Sequence, residues 1–131
     1  MLKIVKRKDL MSPELSYKVV GCAFDVFNEL GSGHSEKTYQ KALVESFLKN
    51  NLELKEQLFC PLAYNGKNIG KRFLDFLIED KIIVELKKGS RFSKSHIDQV
   101  LEYLKMNDLK LAILINFGNE GIMHKRIINF S

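Results

Sequence analysis

The sequence predicts an α/β (α+β) domain whose mixed central sheet is flanked by helices, and three observations predict it. Two leading segments, 12–30 and 35–50, repeat apolar residues at helical spacing. A series of later segments carries apolar residues in alternation or in short continuous runs of strand length. A third helical pattern, 93–107, separates the strands before it from the two after it, and this order of elements implies a mixed sheet flanked by helices. At 131 residues the chain is long enough for one real core and too short for two, so one domain is expected over 1–131.

Composition narrows the class. With 45% hydrophobic and 28% charged residues and only two prolines, the chain reads as an ordinary globular protein and not as a disordered or collagenous one. The net charge of +5 and a pI near 9.2 favour acidic partners such as nucleic acid. Cys22 and Cys60 lack CxxC spacing and sit in apolar stretches, so free buried thiols are expected rather than a zinc site or disulfide. The opening residues lack the apolar core of a signal peptide and no apolar run approaches membrane-spanning length, so a cytoplasmic protein without membrane contact is expected.

Residues 1–11 form a basic lead-in with Lys3, Lys6, Arg7 and Lys8 and no clear structural signal. The first helix starts at Ser12-Pro13-Glu14, with Ser12 expected to cap it, and ends at Gly31. Its stripe is Leu15, Val19, Ala23, Val26, Phe27 and Leu30. Glycines 31 and 33 turn the chain, Ser35 caps the second helix, and Tyr39, Ala42, Leu43, Phe47 and Leu48 face inward. Glu36 falls in that helix's first turn, where an acid complements the helix dipole whatever else it does. Strands are expected at 52–57 and 59–64, with Pro61 marking a bulge or an edge, and Asn65-Gly66 turns the chain into the next strand. After the third helix, 110–117 reads as a strand buried on both sides and 122–130 as a final strand with Lys125 and Arg126 exposed.

The chemistry concentrates between Arg72 and Lys88. Two apolar runs, 73–78 and 82–86, flank the polar patch Glu79-Asp80-Lys81, which predicts a hairpin, yet each run carries one acid, Asp75 and Glu85. A three-residue loop sets Asp75 directly across from Glu85, with Cβ atoms about 5 Å apart, and alternation puts Lys87 on the face of Glu85. Two carboxylates opposed among Phe and Ile repel and are costly to bury. A divalent cation with hard oxygen ligands relieves both penalties, with Lys87 placed to act on a water or a phosphate oxygen. Lys87, Lys88, Arg91 and Lys94 crowd the exit from this hairpin, as either a solvated loop or a phosphate-contacting patch. On the third helix His96, Gln99 and Tyr103 share one flank. No Ser, Cys and His are arranged as a triad; the scattered His34, His96 and His124 are expected to be surface or capping groups, with convergence of His34 and His96 near the acids as the alternative.

The spacing Asp75, nine residues, Glu85-Leu86-Lys87 resembles the Asp…Glu-x-Lys core of the PD-(D/E)xK nuclease superfamily. Gly31-x-Gly33-x-x-Glu36-x-x-Tyr39 is similar to the signature of its GxxExxY family. Further landmarks follow in order, Tyr64-Asn-Gly66, Arg72-x-x-Asp75, His96-x-x-Gln99-x-x-x-Tyr103-Leu-Lys105 and Ile115-Asn-Phe-Gly118, so the resemblance spans nearly the whole chain. It implies a restriction-endonuclease-like core in which Glu36, Asp75, Glu85 and Lys87 are catalytic and Glu36, Asp75 and Glu85 bind Mg²⁺ or Mn²⁺ for phosphodiester hydrolysis. By the same resemblance, Tyr39, Arg72, Lys88, Arg91, His96, Gln99 and Tyr103 support the site or touch nucleic acid, DNA before RNA. Two other readings stand beside it: a non-catalytic module that binds nucleic acid or protein, and a homodimer or subunit of a repair or defence assembly. The intact set of four catalytic-type residues favours catalysis over the non-catalytic module.

Overall fold

The computed structural model describes residues 12–89 and 91–130; the basic lead-in read in residues 1–11 lies outside them. The elements in order are α1 (Pro13–Leu30), α2 (Glu36–Lys49), β1 (Leu54–Tyr64), β2 (Lys67–Ile78), β3 (Ile82–Lys88), α3 (Lys94–Met106), β4 (Leu111–Phe117) and β5 (Ile122–Ile128). The five strands form one sheet in the order β1-β2-β3-β4-β5. All neighbours are antiparallel except β3 and β4, which run parallel and are joined through α3.

Apolar alternation decides which layer covers which face. On one side α1 and α2 bury Val19, Ala23, Tyr39, Leu43 and Phe47 against Phe76, Ile78, Ile82, Val84, Leu86 and the odd-numbered residues of β4. On the other side α3 brings Val100 and Leu104 onto Leu74, Ile83, Ala112, Leu114 and Ile127. Because helices cover both faces of the middle strands, β3 from Ile82 to Leu86 and β4 from Leu111 to Ile115 are buried throughout, which explains their near-continuous apolar sequence.

The helix ends follow their sequence signals with one exception. Ser35 accepts from the Thr38 amide at 3.1 Å, and Ser93 accepts from the His96 amide at 3.1 Å. Gly31, at φ 75°, closes α1 through its amide on the Phe27 carbonyl. Ser12 occupies the N-cap position of α1 but makes no side-chain cap: its backbone is left-handed, at φ 39°, whereas capping uses the extended region.

Leu48, expected to face inward, is 54% exposed, because the buried face of α2 runs through Tyr39, Leu43 and Phe47, and Leu48 lies beside it. Two strand expectations are also corrected. The segments 52–57 and 59–64 are one strand, β1, because Gln57 is accommodated at φ 54° without a break in pairing direction. The last strand stops at Ile128 rather than Phe130. β1 is an edge strand with a register shift between Leu62 and Ala63, beside Pro61. Asn65 and Gly66, at φ 51° and 75°, make the tight turn into β2. Cys22 and Cys60 are buried and free, as expected.

The Ser93 cap fixes where α3 begins and hence where His96 stands. Ser93→Ala is expected to lower stability by about 1 kcal/mol; equilibrium urea unfolding read by circular dichroism checks it.

Candidate active site

The β2–β3 hairpin closes over Glu79, Asp80 and Lys81, with Ile78 opposite Ile82, Leu77 opposite Ile83 and Phe76 opposite Val84. That is the expected register, and its next position would pair Asp75 with Glu85. The backbone ladder ends one pair short of them. In its place each carboxylate reaches across to the other strand: the Asp75 amide donates to Glu85 Oε1, and the Leu86 amide donates to Asp75 Oδ2 at 2.9 Å. Carboxylates taking main-chain N–H groups is a charge-assisted substitute for the missing ladder bonds.

The sequence around Asp75 breaks alternation to make this possible. Leu74 and Leu77 both pack toward α3, while Phe76 and Ile78 pack toward α1 and α2, so the strand changes phase between 74 and 76. The pair that Asp75 would make with Gln57 on β1 is missing too, and Gln57 holds its positive φ there. Asp75 is thus released from both neighbouring ladders at the place where β2 and β3 part.

Glu85 is 4% exposed, the one carboxylate among the buried polar residues of the described chain. Its Oε2 meets His96 Nε2 at 2.7 Å, from the first turn of α3. Phe92 packs on the His96 ring, with centroids 5.1 Å apart. Burial is the main cause that pushes the Asp75 carboxyl up to about 7; the charge of Glu85 adds to it, the Leu86 amide opposes it, and Glu36 contributes from farther off.

Glu36, the first residue of α2, arrives from the opposite layer and accepts the Lys88 amide at 3.3 Å, at the C-terminal end of β3. The structure therefore brings Glu36 to the same end of β3 as Glu85 and Lys87. Lys87 follows Glu85 by two residues, is half-buried, and makes no salt bridge among the described residues. The Lys88 and Arg91 side chains are exposed around that end. Among the described residues no three His, Cys, Asp or Glu side chains are gathered into a ready-made metal cluster. The donor set still fits a hard divalent cation: two opposed carboxylates, Asp75 held toward its neutral form by burial and then by the charge of Glu85, with a third acid at the rim.

The remaining predicted residues fall in three places. Tyr39 is buried, donates to the Gly31 carbonyl at 2.7 Å and stacks on Phe117 at 4.1 Å, so it ties the glycine turn to β4 and has no surface for nucleic acid. Arg72 lies opposite Cys60 on the β1–β2 ladder. His96, Gln99 and Tyr103 do share one flank of α3, but they diverge: only His96 contacts the acids. Gln99 lines a groove of about 600 Å³ with Cys60 and Leu62, its buried Oε1 without a hydrogen-bond partner among the described residues. Tyr103 packs into the α3-side core, near Cys60 and Lys55 of β1.

His34 caps α1 through the Leu30 carbonyl at 2.9 Å and rests edge-on against Tyr39, a capping role as expected, whereas His96 contacts Glu85. The His96–Glu85 contact is what sequence reasoning weighed too lightly. The available signal was His96 one turn past Ser93, on a helix bound to follow Glu85 closely.

The sequence matches the PD-(D/E)XK nuclease superfamily over residues 13–129. The chain belongs to the PD-(D/E)XK nuclease superfamily, and its mixed five-stranded sheet with flanking helices is a restriction-endonuclease-like, α+β fold. Among solved structures it is similar to the crystal structure of SSO0001, with a TM-score of 0.52 and 23% identity, over 71% of this chain and 49% of that one. The chain thus spans about half the length of that protein, and the likeness concerns the fold. No curated protein matches the sequence.

A raised carboxyl pKa sets the sign of a pH effect. Unfolded Asp titrates near 3.8 and Asp75 near 7 in the fold, so the folded state holds the extra proton between those values, and stability is lost as pH rises through that window. In EDTA, the urea midpoint of the wild type is expected to fall from pH 4 to 7 more steeply than that of Asp75→Asn, with parallel curves above pH 7. Asp75→Asn and Glu85→Gln are each expected to be at least as stable as wild type at pH 8 without metal.

Proposed function

We propose that this chain is a nuclease of the GxxExxY type, one catalytic domain that hydrolyses phosphodiester bonds of nucleic acid, DNA before RNA, with Mg²⁺ or Mn²⁺. The observation that carries the reading is the opposed pair Asp75 and Glu85 with the half-buried Lys87, in no salt bridge among the described residues, two residues beyond, all where β2 and β3 separate.

Asp75 and Glu85 would hold the metal, with Glu36 contributing from the start of α2. Bound there, a divalent ion supplies charge neutralisation on the phosphate and a lowered pKa for its water. Lys87 orients the attacking water or stabilises the negative charge of the pentacovalent transition state, a role for a point charge kept clear of salt bridges. His96 positions Glu85 by holding one oxygen while the Asp75 amide holds the other. Exposed Lys88 and Arg91 meet the phosphates on either side of the one being cut. Pairing of two copies, or docking into a larger repair or defence assembly, is compatible with this site. Among the described residues no helix is long and apolar enough to cross a membrane, in keeping with a cytoplasmic place of work.

Turnover decides between this reading and a non-catalytic module. Lys87→Ala is expected to lower turnover on DNA by at least about a hundredfold while affinity falls far less. Lys81→Ala, an exposed lysine in the turn at the far end of β3, is the control and is expected to change neither. Equal losses in proportion to weakened binding would make Lys87 part of a general basic surface, and the nuclease assignment would fall. A second measurement is independent of cleavage: Mn²⁺ is expected to raise the melting temperature of the wild type at pH 8, and to do so much less for Asp75→Asn and Glu85→Gln.

A further inference from the structure

On the α1–α2 side the helical packing reaches only Leu54 of β1 and Phe76 and Ile78 of β2; on the other side it reaches Leu58, Leu74 and Leu77, and Cys60 to Ala63 face α3 across a groove, so the rest of the β1–β2 hairpin is uncovered on the face opposite α3. From Phe73 back to Lys67 the arm is seven residues long, about 23 Å at strand rise. Its side chains are unusual for a projecting hairpin. Phe59 and Phe73 lie directly opposite on the ladder, with ring centroids 5.8 Å apart, and remain 49% and 47% exposed. Lys71 is two residues from Phe73 and so shares its face; Ile69, unpaired at the register shift, is 62% exposed. Tyr64, 65% exposed, stands at the tip beside Lys67.

Exposed aromatic surface of this kind marks a binding site. Charge identifies the occupant. Between Gln57 and Leu74 there is no Asp or Glu, and there are three cations, Lys67, Lys71 and Arg72. A second copy adding to the edge strand is disfavoured, since Pro61 lacks an N–H and the register shift at Leu62 and Ala63 interrupts the free edge. Asp98 and Glu102 of α3 lie on the other face, in the groove beside Cys60 to Ala63; on the face of Phe59 and Phe73 the hairpin's own residues offer rings interleaved with lysines and no acid, which matches single-stranded nucleic acid, whose bases stack on rings and whose phosphates meet cations. The arm is also continuous with the site, because Phe73 precedes Asp75 by two residues on one strand.

We propose that the β1–β2 hairpin is a nucleic-acid arm that stacks unpaired bases on Phe59 and Phe73 and takes phosphates on Lys67 and Lys71, so that the strand led to Asp75 and Glu85 is single-stranded. The inference rests on the nuclease reading for its last clause and stands apart from it for binding.

The test is fluorescence anisotropy of a labelled single-stranded oligonucleotide and of the same sequence as a duplex, in EDTA at fixed salt. Wild type is expected to bind the single strand more tightly. The double variant Phe59→Leu, Phe73→Leu, which keeps apolar bulk and removes the rings, is expected to lose about tenfold or more on the single strand and under about threefold on the duplex, a phosphate-dominated contact. Lys71→Gln is expected to reduce the salt slope on the single strand by about 0.7, one phosphate contact.

Equal loss on both substrates, or none on either, overturns the arm. So does unchanged affinity accompanied by a shift from dimer to monomer in sedimentation, which would give the surface to a second copy. Cleavage with Mg²⁺ or Mn²⁺ separates the two readings. Wild type that binds single strands through the rings but cuts nothing sinks the nuclease and keeps the arm. Wild type that cuts, with single-strand affinity indifferent to the rings, sinks the arm alone.

Discussion

The arrangement depends on one constraint, a carboxylate placed on a strand that helices cover on both faces. Glu85 occupies the β3 position where alternation points toward α3, among Ile83 and Leu114, and an isolated charge there is expensive. The structure offsets that cost with three local groups: the Asp75 amide, His96 from α3, and the opening of the sheet where β2 departs from β3. Each is a departure from regular structure made where the acid needs it. The ladder loses a pair, β2 changes phase, and a histidine sits on an otherwise amphipathic helix.

That constraint also explains the division of labour between the layers. The α1–α2 layer supplies most of the buried volume and sends one functional group, Glu36, from the start of α2 to the end of β3. Tyr39, one turn later, is spent on holding the Gly31 turn and Phe117, which fixes where α2 begins and so where Glu36 stands. The α3 layer is smaller, and it alone contacts Glu85 by side chain. Residues read together as one motif thus act at different ranges: Glu36 by contact with the strand end, and Tyr39 through the loop.

Much of this was legible in the sequence because the signals were local. The caps at Ser35 and Ser93, the Asn65-Gly66 turn, the Ile78-to-Ile82 register and the twice-buried β4 each follow from a few adjacent residues. What was not legible depends on long-range geometry. The phase change at Asp75 has no marker in a run of Phe, Leu, Asp, Phe and Leu, since alternation predicts a uniform strand there. The separation of His96 from Gln99 and Tyr103 reflects where α3 crosses the sheet, so one end of a helical flank meets Glu85 while the other meets β1. Ser12 shows the limit of a cap signature, as Pro13 and Glu14 are sufficient to start α1 from a backbone that disables the serine. The face of the β1–β2 hairpin opposite α3, left uncovered beyond Phe73, reads in sequence like any other amphipathic pair, because nothing local says where a helical layer ends.

The turn at Glu79, Asp80 and Lys81 carries a consequence for variation. Two of its residues are non-glycine at positive φ, and Lys81 closes on the Ile78 carbonyl, so its length is set by backbone shape and not by glycine content. Substitutions there leave the strands in step. A single insertion or deletion moves every residue of β3 to the opposite face, exchanging Glu85 with Val84 or Leu86. The interval between the two acids is therefore fixed in length, and within it the freedom to vary is confined to the turn, because Phe76, Ile78, Ile82, Ile83 and Val84 are held by the core.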